Sequence, residues 1–280
     1  MDRHIDHEQL TAFGYHLRLE EREPGTIEKY LRDVRSFAAW LGERLLDKES
    51  AIAWKKHLLL LGYAPSTINS MLIAVNQFFR FRRWDELRVK TIRIQRQIFR
   101  SRDKELTKEE YVRLLETARS LGRERLELLM ETICATGVRV SEVKYITVEA
   151  ARAGRAEIAL KGKIRTILLP GKLRRKLLKY AKKQKIGSGE IFLTRSGKGM
   201  SRRQIWAEMK AICRRAGVAE SKVFPHNLRH LFARTFYRTC RDVVQLADVL
   251  GHSSIETTRI YLASTGAEFV RRMDRLGLVS

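Results

Sequence analysis

The residues AEIALKGKIRTILL, 156–169, form two short apolar runs around Lys161-Gly162-Lys163. This is the clearest strand-like pattern in a chain whose other apolar residues mostly recur at helical spacing. It reads as a β-hairpin with a lysine-bearing tip. A hairpin set among helices makes the fold mainly α with a small β-sheet.

The helical stripes begin near the amino end. Pro24-Gly25 breaks the chain, and Thr26 is positioned to cap the next helix. Ile27, Tyr30, Leu31, Val34, Phe37, Ala38 and Leu41 then share one face. After Pro65 and Ser66, a second face collects Ile68, Met71, Leu72, Val75, Phe78 and Phe79. The segment 91–105 contains Arg93, Arg96 and Arg100 and has no strong apolar stripe, so it reads as a basic linker. Beyond it, Thr107 and Glu110 form a capping box, and a helix near Leu126–Ala135 stops at Thr136-Gly137. The basic run 171–185 keeps a buried face in Leu173, Leu177, Leu178 and Ala181. Further helices are expected at 201–216, 226–238, 242–250 and 254–262, with Gly251 as a C-cap. The organisation expected is a helical domain over 1–90, a linker over 91–105 and a larger mixed domain over 106–280.

Charge narrows the function. The chain has 56 Lys+Arg against 32 Asp+Glu, a net of +24 over 280 residues. Residues 1–50 carry 8 basic and 11 acidic side chains, and residues 51–100 carry 10 and 2. So large an excess suits a polyanionic partner, and nucleic acid is the commonest one. Cys134, Cys213 and Cys240 make neither a disulfide framework nor a CxxC metal site. The polar start MDRHIDHEQL is not a signal peptide, and no run approaches the length of a membrane span. A cytoplasmic, nucleoid-associated protein is the expectation.

Several residues could carry chemistry. In ATGVRVSE, Arg139 follows the Thr136-Gly137 break at the start of a new helix, where its guanidinium and free backbone N–H groups could meet an anion. In PHNLRHLF, His226 and Arg229 are three apart and share a helix face, with His230 close by. In LGHSSIETTRIYL, His252 follows a helix end and Tyr261 lies on the next helix. Each has a plainer reading: a surface ion pair, a polar helix start, a core tyrosine, a solvated hairpin tip.

The ordered set of Arg139, a lysine hairpin, His226-x-x-Arg229, Leu-Gly-His252 and Tyr261 resembles the tyrosine recombinase (phage integrase) family. Its short Xer-like and transposon-type members are the most similar. The gaps of 23 residues from Arg229 to His252 and 9 from His252 to Tyr261 match the family pattern.

The resemblance implies an N-terminal helical core-binding (SAM-like) domain and an α+β catalytic domain. It implies DNA strand breakage and rejoining through a covalent 3′-phosphotyrosine at Tyr261, with no cofactor, metal or ATP. Arg139 and Arg229 match the arginines that clamp the scissile phosphate. His226 matches the residue assigned to proton transfer, and His252 the one that hydrogen-bonds the phosphate. The hairpin lysine is the general acid: Lys161 precedes the tip glycine, and Lys163 is the rival. Leu231 stands where many relatives have a small polar residue, and is expected to pack.

Arg80, Arg82, Arg83, Arg93, Arg96 and Arg100 are candidate phosphate-backbone contacts. The implied partner is double-stranded DNA with two inverted half-sites, held by a homotetramer. A C-terminal helix at 267–276, with Phe269, Val270, Met273 and Leu276 on one side, is expected to dock on a neighbouring subunit or on its own domain. The chain begins almost directly with the helical domain, so no additional N-terminal module for distant sites is expected. The reaction expected is integration or excision of a mobile element, or Xer-like dimer resolution. Two other readings stay open: a type IB topoisomerase, and a non-catalytic DNA-binding regulator.

Overall fold

The computed structural model describes residues 3–94, 104–160, 163–252, 254–262 and 274–276, with backbone only at 159–160, 163–164, 259–260 and 262. Residue contacts divide the chain into two units, Met1–Arg96 and Gln97–Ser280.

The first unit packs α1 (His7–Leu19), α2 (Pro24–Leu41), α3 (Lys48–Leu60) and α4 (Pro65–Phe81). Phe13, Leu17, Val34, Phe37, Trp54, Leu58, Ile68, Leu72, Phe78 and Phe79 form its centre. Phe13 meets Phe78 edge-on at 5.4 Å between ring centroids, and Phe37 meets Phe79 at 5.9 Å. Each buried phenylalanine stabilises the unit by roughly 1.5–3 kcal/mol.

The stripes expected on α2 and α4 are present. The cap expected at Thr26 is not. Proline suits the first helical position because its missing N–H would be unpaired there anyway, so α2 begins at Pro24 after Glu23. Thr26 falls inside the first turn, its N–H bonded to Glu23 O at 2.8 Å. Beyond α4, the chain runs back along it. Asn76 exchanges two hydrogen bonds with the Val89 backbone, and Asn69 does the same with Ile92, at 2.7–2.9 Å. Two asparagines two helical turns apart thus supply the pairing that a neighbouring strand would offer.

The second unit runs α5 (Lys108–Ser120), α6 (Glu124–Thr136), a 3₁₀ turn (Val140–Tyr145), α7 (Val148–Ala153), β1 (Arg155–Leu160), β2 (Lys163–Leu168) and α8 (Gly171–Lys183). Then come α9 (Arg202–Lys210), α10 (Cys213–Ala216), α11 (Pro225–Cys240), α12 (Val243–Leu250) and α13 (Ile255–Leu262). The Thr107–Glu110 capping box opens α5. α6 and α11 cross in the core, which buries Leu129, Ile133, Leu228 and Leu231. Leu231 packs, as expected.

The hairpin is antiparallel, in register from Arg155↔Leu168 to Leu160↔Lys163. Ala156, Ile158 and Ile167 are buried on one face, and Arg165, opposite Ile158, shares it. The single helix expected over 201–216 is interrupted at Ala211–Ile212. There the Ile212 N–H reaches back only three residues, to Met209 O. The interruption leaves both Ile212 and Cys213 fully buried. Apolar spacing alone does not register such a step. Of the expected C-terminal helix over 267–276, all but Asp274, Arg275 and Leu276 lies outside the described residues. Among the described residues, no helix is long and apolar enough to cross a membrane.

Candidate active site

Four ends of secondary structure meet in the second unit: the end of α6, the start of α11, the end of α12, and α13. α6 stops at Gly137, which takes the left-handed conformation (φ 64°) that glycine adopts without strain. A side chain there would run into Phe232 and Leu250. The turn leaves the Gly137 carbonyl free to accept from Arg229 Nη1.

Among the described residues, Arg229 is the largest side chain that is essentially sealed from solvent, at 1% exposure. Its Nη2 donates to Leu250 O at 2.9 Å and to His252 Nε2 at 2.9 Å. Its Nε lies 3.4 Å from the Tyr261 hydroxyl. Among the described residues, no carboxylate pairs with it. Burial lowers its pKa from the ordinary arginine value, and the hydrogen bond to Tyr261 opposes this. A buried guanidinium held by carbonyl dipoles and an imidazole, with no counter-anion, is costly alone and is stabilised by an anion arriving at the site.

Arg139 stands just before the 3₁₀ turn and is half-exposed. Its backbone N–H is not free, as the sequence had suggested. It donates to Glu142 Oε2 at 2.8 Å, and Arg139 Nη1 donates to Glu142 Oε1 at 2.8 Å. The buried Glu142 also accepts from Arg165 Nη1 at 3.1 Å. Arg165 Nη2 in turn donates to Val249 O at 2.9 Å, and its side chain lies against Gly251. Burial, the first cause, and the neighbouring Arg229 and Arg139 pull its pKa down to about 10, against Glu142, so it stays charged at neutral pH. Two guanidiniums, Arg139 and Arg165, therefore share one carboxylate.

His252 follows Gly251, the left-handed C-cap of α12. Burial, then the charges of Arg229, Arg139 and Arg165, and then His226, pull its pKa from 6.5 to about 4. Between those values the unfolded chain binds the proton and the folded chain does not, so stability from this group is lost as pH falls from 6.5 towards 4. The stability difference between wild type and His252→Gln, measured by denaturant unfolding, is expected to be level above pH 7 and to shrink through that window. A difference that is flat down to pH 4 contradicts a buried neutral imidazole.

Tyr261 is buried beside Ala233, Leu246 and Leu250. Its ring lies nearly parallel to His252 at 5.6 Å, 4.4 Å from His230 and 6.2 Å from His226. His226 is exposed and stands edge-to-face with the buried His230 at 4.6 Å.

The structure thus brings Arg139, His226, Arg229, His252 and Tyr261 into one cluster. Lys161 lies outside the described residues. Lys163 is described by its backbone only, paired with Leu160. Glu142, Arg165 and Thr258 also belong to the cluster, although the sequence alone gave them no role. Glu142 lies within the ATGVRVSE stretch, and its spacing of three from Arg139 is the signal that could have marked it.

In the first unit Arg80, Arg83 and Arg93 are exposed. The half-buried Arg82 holds its guanidinium 5.0 Å over the Trp84 ring. Arg96 and Arg100 lie outside the described residues. The described residues hold no group of three or more His, Cys, Asp or Glu that could bind a metal ion.

Comparison with known proteins finds relatives along most of the chain. The phage integrase family profile matches residues 104–268, and the phage integrase N-terminal SAM-like domain matches 10–86. Tyrosine recombinase XerA of Thermococcus kodakarensis is 29% identical over 97% of this chain and 96% of its own. Tyrosine recombinase XerD of Brucella suis is 31% identical over 84% of this chain and 85% of its own. A crystal structure of a lambda integrase dimer bound to a COC′ core site superimposes with a TM-score of 0.73 at 16% identity, covering 91% of this chain and 94% of that one. With the catalytic-domain profile spanning more than half of its length and relatives aligned along most of it, the chain belongs to the phage integrase family and is a tyrosine site-specific recombinase.

Proposed function

We propose that Tyr261 cuts a DNA strand by attacking a phosphodiester, forming a 3′-phosphotyrosine and releasing a 5′-hydroxyl, and that the reverse attack by a 5′-hydroxyl rejoins the strands. The bond to tyrosine keeps the energy of the bond broken, so rejoining needs no external energy source. The observation that carries this reading is the buried Arg229 guanidinium, with no carboxylate partner among the described residues, 3.4 Å from the Tyr261 hydroxyl. A phosphate there supplies the missing anion.

Charge grows on the non-bridging oxygens during attack. Arg229 and Arg139 present planar N–H forks to stabilise it. Glu142 neutralises part of Arg139 and fixes its direction. His226, exposed beside the Tyr261 ring, takes the phenolic proton, and His252 hydrogen-bonds the phosphate. The hairpin lysine, Lys161 or its rival Lys163, protonates the departing 5′-oxygen.

Arg80, Arg82, Arg83, Arg93, Arg96 and Arg100 contact the DNA backbone, which makes affinity steeply salt-dependent without reading sequence. The working assembly is a homotetramer on two sites, each of two inverted half-sites, in the cytoplasm at the nucleoid. Site-specific recombination is tested with supercoiled plasmids carrying pairs of repeats from the DNA flanking the gene. New junctions between repeats are expected. Relaxation without junctions contradicts recombination and points to topoisomerase action.

A further inference from the structure

Thr258 is fully buried on α13. Its hydroxyl meets His252 Nδ1 at 2.8 Å. The other ring nitrogen, Nε2, is 2.9 Å from Arg229 Nη2. A guanidinium has donors only. Nε2 therefore accepts, the ring proton sits on Nδ1, and the Thr258 oxygen accepts it. In this state His252 has no N–H to offer a phosphate. A hydroxyl is both donor and acceptor, so Thr258 can reverse the sense of its bond without moving its oxygen.

We propose that Thr258 is the positioning residue that supports both tautomers of His252, accepting from Nδ1 before DNA binds and donating to Nδ1 once a phosphate occupies the site. This rests on Arg229 and His252 being the groups that meet the phosphate. When a phosphate oxygen takes over Arg229 Nη2, Nε2 loses its donor and faces an anion. The ring then releases the Nδ1 proton to water and takes one at Nε2, so one proton leaves, one arrives, and the ring stays neutral. The new Nε2–H donates to the phosphate, and the Thr258 hydroxyl turns to donate to Nδ1. In the free protein burial, and then the charges of Arg229, Arg139 and Arg165, disfavour an imidazolium, and protons on both ring nitrogens in the DNA complex overturn the inference. Which nitrogen of a histidine carries the proton is set by hydrogen-bond partners: Arg229 and then phosphate act at Nε2, and Thr258 holds the ring in either state because its hydroxyl both accepts and donates.

The test uses the full chain with ¹⁵N-labelled histidine. Long-range proton–nitrogen spectra are recorded on free protein and on a pre-cleavage complex held by Tyr261→Phe. The expected result is Nδ1–H free and Nε2–H bound. Nε2–H in the free protein, or no change on binding DNA, overturns the inference, and this measurement needs no change at Thr258.

Kinetics supply the second arm. Thr258→Val keeps the shape and removes the hydroxyl. It is expected to slow single-turnover cleavage by about 10- to 100-fold, less than the roughly 10²- to 10³-fold lost with a direct donor at a reacting group because Thr258 acts through His252, with DNA affinity within about twofold. Thr258→Ser keeps the hydroxyl and is expected to restore the rate to within about threefold. A Val variant as fast as wild type, or a Ser variant as slow as Val, overturns the inference. If Tyr261→Phe still forms adducts, the reading of the site itself has failed. If it is inert while Thr258→Val cleaves normally, only the role of Thr258 has.

Discussion

Tyr261→Phe is expected to form no covalent adduct with a nicked DNA substrate while binding it with wild-type affinity. In the proposed reaction the phenolic oxygen is the attacking nucleophile, so its loss is expected to lower cleavage by on the order of 10⁴-fold or more. The fold tolerates the change. The ring packs in a cluster with Ala233, Leu246 and Leu250, and phenylalanine fills the same space. The hydroxyl lies 3.4 Å from the buried Arg229 Nε, so removing it leaves that N–H unpaired at a cost of roughly 1–3 kcal/mol. Gel-shift affinity and denaturing-gel adducts, read on the same preparation, separate binding from chemistry. Adducts from the Phe variant contradict the assignment.

Arg229→Lys is expected to have the second-largest effect, for two reasons that can be measured separately. The guanidinium spans Gly137 O, Leu250 O and His252 Nε2 from one rigid plane. An ammonium at the end of a flexible stem cannot reach all three at once. A buried carbonyl left unpaired costs roughly 1–3 kcal/mol of stability, visible as a lower midpoint in denaturant. At the phosphate, the planar fork is replaced by a point charge, and single-turnover cleavage is expected to fall about 10²- to 10³-fold. Retained charge keeps DNA affinity close to wild type. A Lys variant that cleaves within a few-fold of wild type contradicts the role given to the fork.

The residues proposed to meet the phosphate, which the fold brings together, were legible because they sit in local motifs: Arg139 after a helix stop, His226-x-x-Arg229 on one helix face, His252 and Tyr261 nine apart. The residues that hold them were not. Arg165 is an arginine on a strand, and nothing in IRTIL says that its inward face meets Glu142 and the Val249 carbonyl. Thr258 is one of two adjacent threonines on a polar helix, and only the fold shows which one meets the imidazole.

The same limit applies to the architecture. The stripes of α2 and α4 were readable because one face is strongly apolar. α3 buries chiefly Ala51, Trp54 and Leu58 and leaves Leu60 in solvent, so its pattern is weak. The break at Ala211–Ile212 was hidden for the opposite reason: apolar residues continue at helical spacing straight through it.

The most direct test is to trap the wild-type protein on a suicide oligonucleotide, digest the adduct and map the DNA-linked peptide by mass spectrometry. The prediction is a single linkage, through the 3′-phosphate, on the peptide containing Tyr261. A linkage on another residue, or no linkage while the strand is still cut, contradicts a phosphate held by Arg229 and attacked by Tyr261.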